Sequence, residues 1–357
     1  MKKQILAGLL AGCIILSGCA SMLERDYVSV TPHSSTKTDT GTSSVLRVEN
    51  YQELVNSLIY FISNAAEEGV IRLYLDSAAV DEHLHNARLE ILQEYPLAVY
   101  AVEDITYDTS PLVTYTEAHV GFSYRRTQQQ VDSIVSANGI SAIRNALTAV
   151  LTEFSNECVM SINYFDQDEV FINDLIQQAY YASPATALGF PEVEVHIYPT
   201  SGRQRIVEVL FYYQNDLASL SEQALLLEQA CLHLAQNLPV SDSATSSAMS
   251  AAWAILEEGG HKADGGSTAY DALLSGGANH EGLALAMAAV CTNLDIPCKV
   301  ARGLLDGQPH FWNVVYTDDG WRHIDLSQLS VLRGFYTDES WMVSDYQWPE
   351  TSLPACG

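Results

Sequence analysis

The chain has 357 residues and carries 44 acidic against 17 basic side chains, a formal net charge of −27. So acidic a surface excludes electrostatic binding to nucleic acid or to anionic lipid headgroups. Hydrophobic residues make up 48% of the chain, which is enough to build more than one buried core.

Lys2 and Lys3 precede an apolar run from Ile5 to Leu16. A short basic start and an apolar core of this length make a secretory signal rather than a membrane span. Leu16-Ser17-Gly18-Cys19 resembles a bacterial lipobox, which implies a signal peptide over 1–18 and lipidation of Cys19. The expected location is extracytoplasmic, with the chain held to the cell membrane by that lipid. Without Lys2 and Lys3, 15 basic residues face 44 acidic ones, a net charge of −29. Residues 19–48 include TPHSSTKTDTGTSS, a polar run without apolar period, and are expected to form a flexible tether.

Two segments then share one order of elements, helix–strand–helix–strand–strand, over 49–130 and 131–215. Pro96 and Pro184, 88 residues apart, close the second helix of each. Leu54, Leu58, Phe61 and Ile62 fall on one helical stripe. Val193, Val195 and Ile197, then Val207, Val209 and Phe211, alternate at period two, with a turn at Pro199 to Gly202. Two small α/β repeat units are expected, with tyrosines such as Tyr180 and Tyr181 available to core or binding face. A helical connection over 216–250 follows.

Five cysteines lie beyond Cys13 and Cys19: Cys158, Cys231, Cys291, Cys298 and Cys356. Five is odd, so at least one stays unpaired within the chain. Cys291 and Cys298 are the close pair, suited to a bridge or to service as small apolar filler.

The chemistry concentrates in 251–345, before a tail at 346–357. GGANHEGLALAMAAVCTNL reads as a Gly-Gly approach into a helix starting near Asn279. IPCKVARGLLDGQPHFWNVVYTDDGW reads as strand, loop and a second strand opening on His310. WRHIDLS reads as a strand carrying Asp325. A helix N-terminus, a strand histidine and a strand aspartate stand in the order of a Cys-His-Asp thiol enzyme. There, helix N–H groups favour thiolate, the histidine takes its proton and the aspartate orients the histidine.

Tyr270-Asp271-Ala272-Leu273, Gly276, Glu281-Gly282, Ala284, Ile296-Pro297, His310-Phe311-Trp312-Asn313, Trp321 and Asp325 together resemble the transglutaminase-like superfamily, which has a papain-like core. The resemblance covers about 251–330 and implies an α+β domain with a cysteine nucleophile. In this chain the nucleophile position is His280. Cys291 lies 11 residues further along the same helix, about 16 Å away, and Cys298 follows Pro297, so neither substitutes in register.

Three readings follow for His280, His310 and Asp325. The first is a pseudoenzyme whose cleft binds a peptide, a peptidoglycan stem or a surface protein. The second is a metal-dependent hydrolase with those three side chains as ligands. The third is an enzyme using another nucleophile, with Glu281, Ser275 or a shifted cysteine taking part. No cofactor is expected. His323 is expected at the surface or at the cleft border, His261 in a loop without partner, and Trp312 and Trp321 in the core.

Overall fold

A computed structural model describes residues 45–349 and 353–357. The expected signal peptide, Cys19 and most of the tether lie outside the described residues. The end of the expected tether is a strand, β1 (Val45–Val48), with Leu46 and Val48 buried and Val45 and Arg47 exposed. This two-residue alternation hides in a Ser/Thr-rich context, and pairing with a longer strand gives it a partner.

In chain order there follow α1 (Tyr51–Ser63), β2 (Glu68–Leu73), α2 (Val80–Glu94), α3 (Pro96–Ala101), β3 (Val102–Pro111) and β4 (Thr116–Tyr124). They form a sheet of order β1-β2-β4-β3, parallel only between β1 and β2. Asn50 caps α1 by accepting from the Glu53 amide. The predicted stripe of Leu54, Leu58, Phe61 and Ile62 is buried against Ile71, Leu73, Leu84 and Ile91. Pro96 ends α2 as expected and opens α3, where its missing N–H costs nothing.

The next elements are α4 (Gln128–Asp132), β5 (Val135–Ser136), α5 (Ile140–Thr152), β6 (Glu157–Ile162), α6 (Glu169–Ala182), β7 (Glu192–Tyr198) and β8 (Arg205–Tyr212). Their sheet has the order β5-β6-β8-β7. The described chain divides into two compact units. One holds residues up to Gly139, Val159–Glu169 and Val195–Val209; the other holds Ile140–Cys158, Val170–Glu194 and Leu210–Gly357. Almost all of α5 and α6 therefore belongs with the C-terminal unit, whereas the sequence assigned both helices to a separate 131–215 unit. Adjacency along the chain does not reveal that choice of partner.

The C-terminal unit continues with α7 (Leu217–Asn237), α8 (Ala244–Glu258), β9 (His261–Gly266), α9 (Ala269–Leu274) and α10 (His280–Asn293). It ends with β10 (Cys298–Leu305), β11 (Gln308–Thr317), β12 (Gly320–Ile324), α11 (Leu329–Leu332), α12 (Asp338–Met342) and β13 (Tyr346–Gln347). The last four strands form an antiparallel sheet of order β12-β11-β10-β13. Helix α10 is buried from Gly282 to Cys291 and packs on α7, α8, α9, β10 and β11. A helix buried on all sides carries no amphipathic stripe, in keeping with its run of Ala, Leu and Met.

Candidate active site

The approach to α10 is shaped by Gly276 and Gly277, whose φ values of 82° and 129° suit glycine alone. Asn279 is the N-cap, its side chain accepting from the Glu281 and Gly282 amides at 2.9 and 3.1 Å. His280 is thus the first residue of a 14-residue helix, where the sequence placed the nucleophile position. Its Nδ1 is buried without a hydrogen-bond partner.

His310 is the third residue of β11 and is buried. Its ring lies 4.5 Å from that of His280, centroid to centroid. His310 Nε2 meets Asp325 Oδ2 at 2.6 Å. Asp325 follows β12 and caps a single turn of 3-10 helix, Leu326–Gln328. Its Oδ2 also accepts from the Tyr346 hydroxyl at 2.7 Å, and its Oδ1 accepts from the Ser327 amide at 2.8 Å and hydroxyl at 2.7 Å. Burial alone would raise this carboxyl. The bonds from His310, Ser327 and Tyr346 outweigh burial and hold it below the usual carboxylate range. The ionised Asp325 only accepts, so His310 Nε2 carries the proton of that bond and Nδ1 is the nitrogen turned away from Asp325.

The three sequence-predicted residues do meet, but not as one ligand set. Asp325 spends its four acceptor positions on His310, Ser327 and Tyr346, and it bonds the nitrogen of His310 that does not serve as acceptor. It orients His310 instead of converging with it on a common ion. Burial, then repulsion from His310, lowers the His280 imidazole and favours its neutral form.

Phe311 stacks on His280 at 5.7 Å and 13°, and Tyr181 of α6 lies 5.3 Å from Phe311. The Tyr181 hydroxyl donates to Glu281 at 2.7 Å. Burial is the main influence raising the Glu281 carboxyl, against the Tyr181 bond and the Arg302 charge. Arg302 lies over the Tyr181 ring at 5.4 Å and donates to Gln177. Sequence reasoning named Tyr181 among aromatics able to line a face but did not bring it to this site. It missed Tyr346, whose strand is two residues long and has no period to read.

His323 corrects an expectation. It is fully buried, neither at the surface nor at the cleft border. Its Nδ1 accepts from the Trp312 indole at 2.9 Å, and its Nε2 meets Asp338 at 2.8 Å. Among the described residues, His323, Asp338 and Cys356 form a group of potential ligands within 4.8 Å of one another. The tautomer argues against an ion there. Indole N–H only donates, so Nδ1 holds the lone pair and Nε2 holds the proton that points at Asp338. Burial also pushes the Cys356 thiol up to about 12.

All five described cysteines are free. Cys291 is buried on α10, and Cys298 beside it is half-buried, with desolvation raising its thiol well above the ordinary range. Among the described residues no thiol stands at the site of His310. Trp312 is core, as expected, at 1% exposure.

A helix N-terminus facing a strand His-Asp pair was the expected thiol-enzyme frame, and residues 233–326 match the family model for the transglutaminase-like superfamily. This segment is a transglutaminase-like domain. No curated protein matches the chain. Among solved structures, the chain is similar to a candidate cysteine protease from Cytophaga hutchinsonii. The identity is 13% and the TM-score 0.26, over 41% of this chain and 65% of that one. It is also similar to a TGase at 13% identity and TM-score 0.25, over 61% of this chain and 63% of that one. The chain thus covers less than two thirds of each.

Proposed function

We propose that this protein is an extracytoplasmic lipoprotein, anchored through Cys19, whose transglutaminase-like domain binds a peptide or cell-wall ligand without thiol chemistry. One observation carries the reading. The first residue of α10, beside the oriented His310–Asp325 pair, is His280, and the free thiols of the described residues lie elsewhere. An imidazole attacks activated acyl groups, but its acyl product is unstable and amides are poor partners for it. An acyl-enzyme therefore does not accumulate.

The surface beside His280 suits binding. Phe311 and Tyr181 are half-buried and form an aromatic wall, and Glu281 and Arg302 add polar groups at its edge. Aromatic side chains with a polar tip present large contact area at low entropic cost. Among the described residues no helix is long and apolar enough to cross a membrane.

The test is calorimetric titration of the purified full chain with soluble stem peptides and muropeptides. Binding that weakens at least tenfold in Phe311→Ala supports the reading. Absence of binding, or binding indifferent to Phe311→Ala, contradicts it.

A further inference from the structure

Asn138-Gly139 is the one Asn-Gly pair in the sequence. Both residues are exposed and stand between β5 and α5. The amide carbon of an asparagine side chain is joined through its own Cβ, Cα and carbonyl carbon to the backbone nitrogen of the next residue. Attack by that nitrogen closes a five-membered succinimide ring, which makes asparagine thermolabile. The usual obstacle is the Cβ of the next residue. Gly139 has none, its φ of 86° suits glycine, and nothing crowds the place where a Cβ would stand.

The surroundings do more than leave room. β5 and β6 pair at Val135–Met160 and Ser136–Ser161, and the Ala137 amide donates to the Ser161 carbonyl at 3.0 Å. A side chain makes the next rung, where the Asn163 amide donates to Asn138 Oδ1 at 2.8 Å. Negative charge collects on that oxygen when a nucleophile adds to the side-chain carbon, so the Asn163 N–H stands as an oxyanion donor at the required distance. Asn138 Nδ2, the leaving group, lies 3.4 Å from Ser136 Oγ, a hydroxyl able to relay the proton with which ammonia departs. Among the described residues no backbone carbonyl holds the Gly139 amide, so the attacking nitrogen surrenders no such bond.

We propose that Asn138-Gly139 is a self-modifying site. The Gly139 nitrogen bonds to Asn138 Cγ, the bond from Cγ to Nδ2 breaks, and the Gly139 amide proton leaves with it as ammonia. Water is the co-reactant of the second step. Its addition at the side-chain carbon gives an aspartyl group at position 138, whose carboxylate keeps the bond from Asn163 in charge-assisted form. Addition at the backbone carbon gives an isoaspartyl link, which adds a methylene to the main chain between β5 and α5. Either product adds one negative charge.

The test incubates the purified full chain at mildly alkaline pH beside a synthetic peptide of residues 133–143, with both followed by mass spectrometry and peptide mapping. The expected result is amide-to-acid conversion at position 138, at least ~10-fold faster in the folded chain than in the peptide, a fraction of the ~10²–10³ that one oxyanion donor supplies. Ser136→Ala should slow the folded chain about 10-fold, below the ~10²–10⁴ of an ideally placed proton donor, and the same change should leave the peptide's rate as it was. Asn138→Gln, which would have to close a larger ring, should stay unmodified over the same period. A folded chain no faster than the peptide overturns the proposal. So does a Ser136→Ala chain as fast as wild type, or faster conversion at another asparagine. If Ser136→Ala does not fold, the comparison of wild-type chain and peptide still decides.

Discussion

Replacing Tyr346 with phenylalanine removes one hydroxyl from the site and little else. The ring is 2% exposed and stacks on Trp341 at 4.0 Å, and both features survive in Tyr346→Phe. What goes is the 2.7 Å bond to the ionised Asp325. A hydrogen bond to a charged, buried group contributes about 1.5–3 kcal/mol, and this one helps hold the Asp325 carboxyl below the usual carboxylate range. The assay is urea unfolding followed by tryptophan fluorescence. All five tryptophans, from Trp253 to Trp348, lie in the C-terminal unit, so the signal reports on the unit that holds the site. The expected loss is ~1.5–3 kcal/mol at pH 7 in the wild-type background and below about 1 kcal/mol when Asp325→Asn is already present. A loss below ~0.5 kcal/mol, or the same loss in both backgrounds, refutes the assignment of Tyr346 as a support of the Asp325 charge.

Further outcomes follow from the same geometry. In His280→Cys the thiol sits at the first position of α10 beside His310, and its pKa, followed by the pH dependence of alkylation, is expected at or below ~7 against ~8.5 for a free thiol; a value at or above 8.5 would show that the frame no longer activates a nucleophile. The His323 imidazole is lowered chiefly by burial, against the pull of Asp338. Its proton affinity is thus lower folded than unfolded, so the unfolded chain binds the extra proton below ~6.5 and stability falls as pH drops through that window, by at most ~1.4 kcal/mol per pH unit for this group; unfolding midpoints in His323→Gln should show a flatter dependence. A Cβ on Gly303 would lie 2.1 Å from the Gln347 carbonyl oxygen and 2.7 Å from Trp312. Gly303→Ala should therefore push β13 and Tyr346 off the sheet edge and cost about 1–3 kcal/mol, and a thermal midpoint equal to wild type would contradict that packing.

Much of this was legible in the sequence because it rests on local signals. The Gly-Gly approach and Asn279 announced the start of α10 and a strand was expected to open near His310, whereas Asp325, expected on the next strand, falls one residue past it and caps a turn. The supporting residues were not legible. Tyr346 reaches Asp325 from a two-residue strand, and Tyr181 reaches Glu281 from a helix 100 positions earlier in the chain. Neither contact leaves a periodic trace, since both depend on how separate elements pack. His323 was misplaced for a related reason. Its burial comes from Trp312, Trp341 and Trp348, two of which lie beyond the strands that the sequence delineated. The strand Val45–Val48 was absorbed into the tether because four residues are too few to show a pattern against a Ser/Thr-rich background.

The most direct measurement is intact-mass analysis of the wild-type chain and of His280→Cys after incubation with a glutaminyl peptide and a labelled primary amine. Wild type is expected to give no adduct and no amine incorporation, and His280→Cys a thioester-mass adduct. Turnover by the wild-type protein that disappears in His310→Ala would contradict a domain without a nucleophile at position 280.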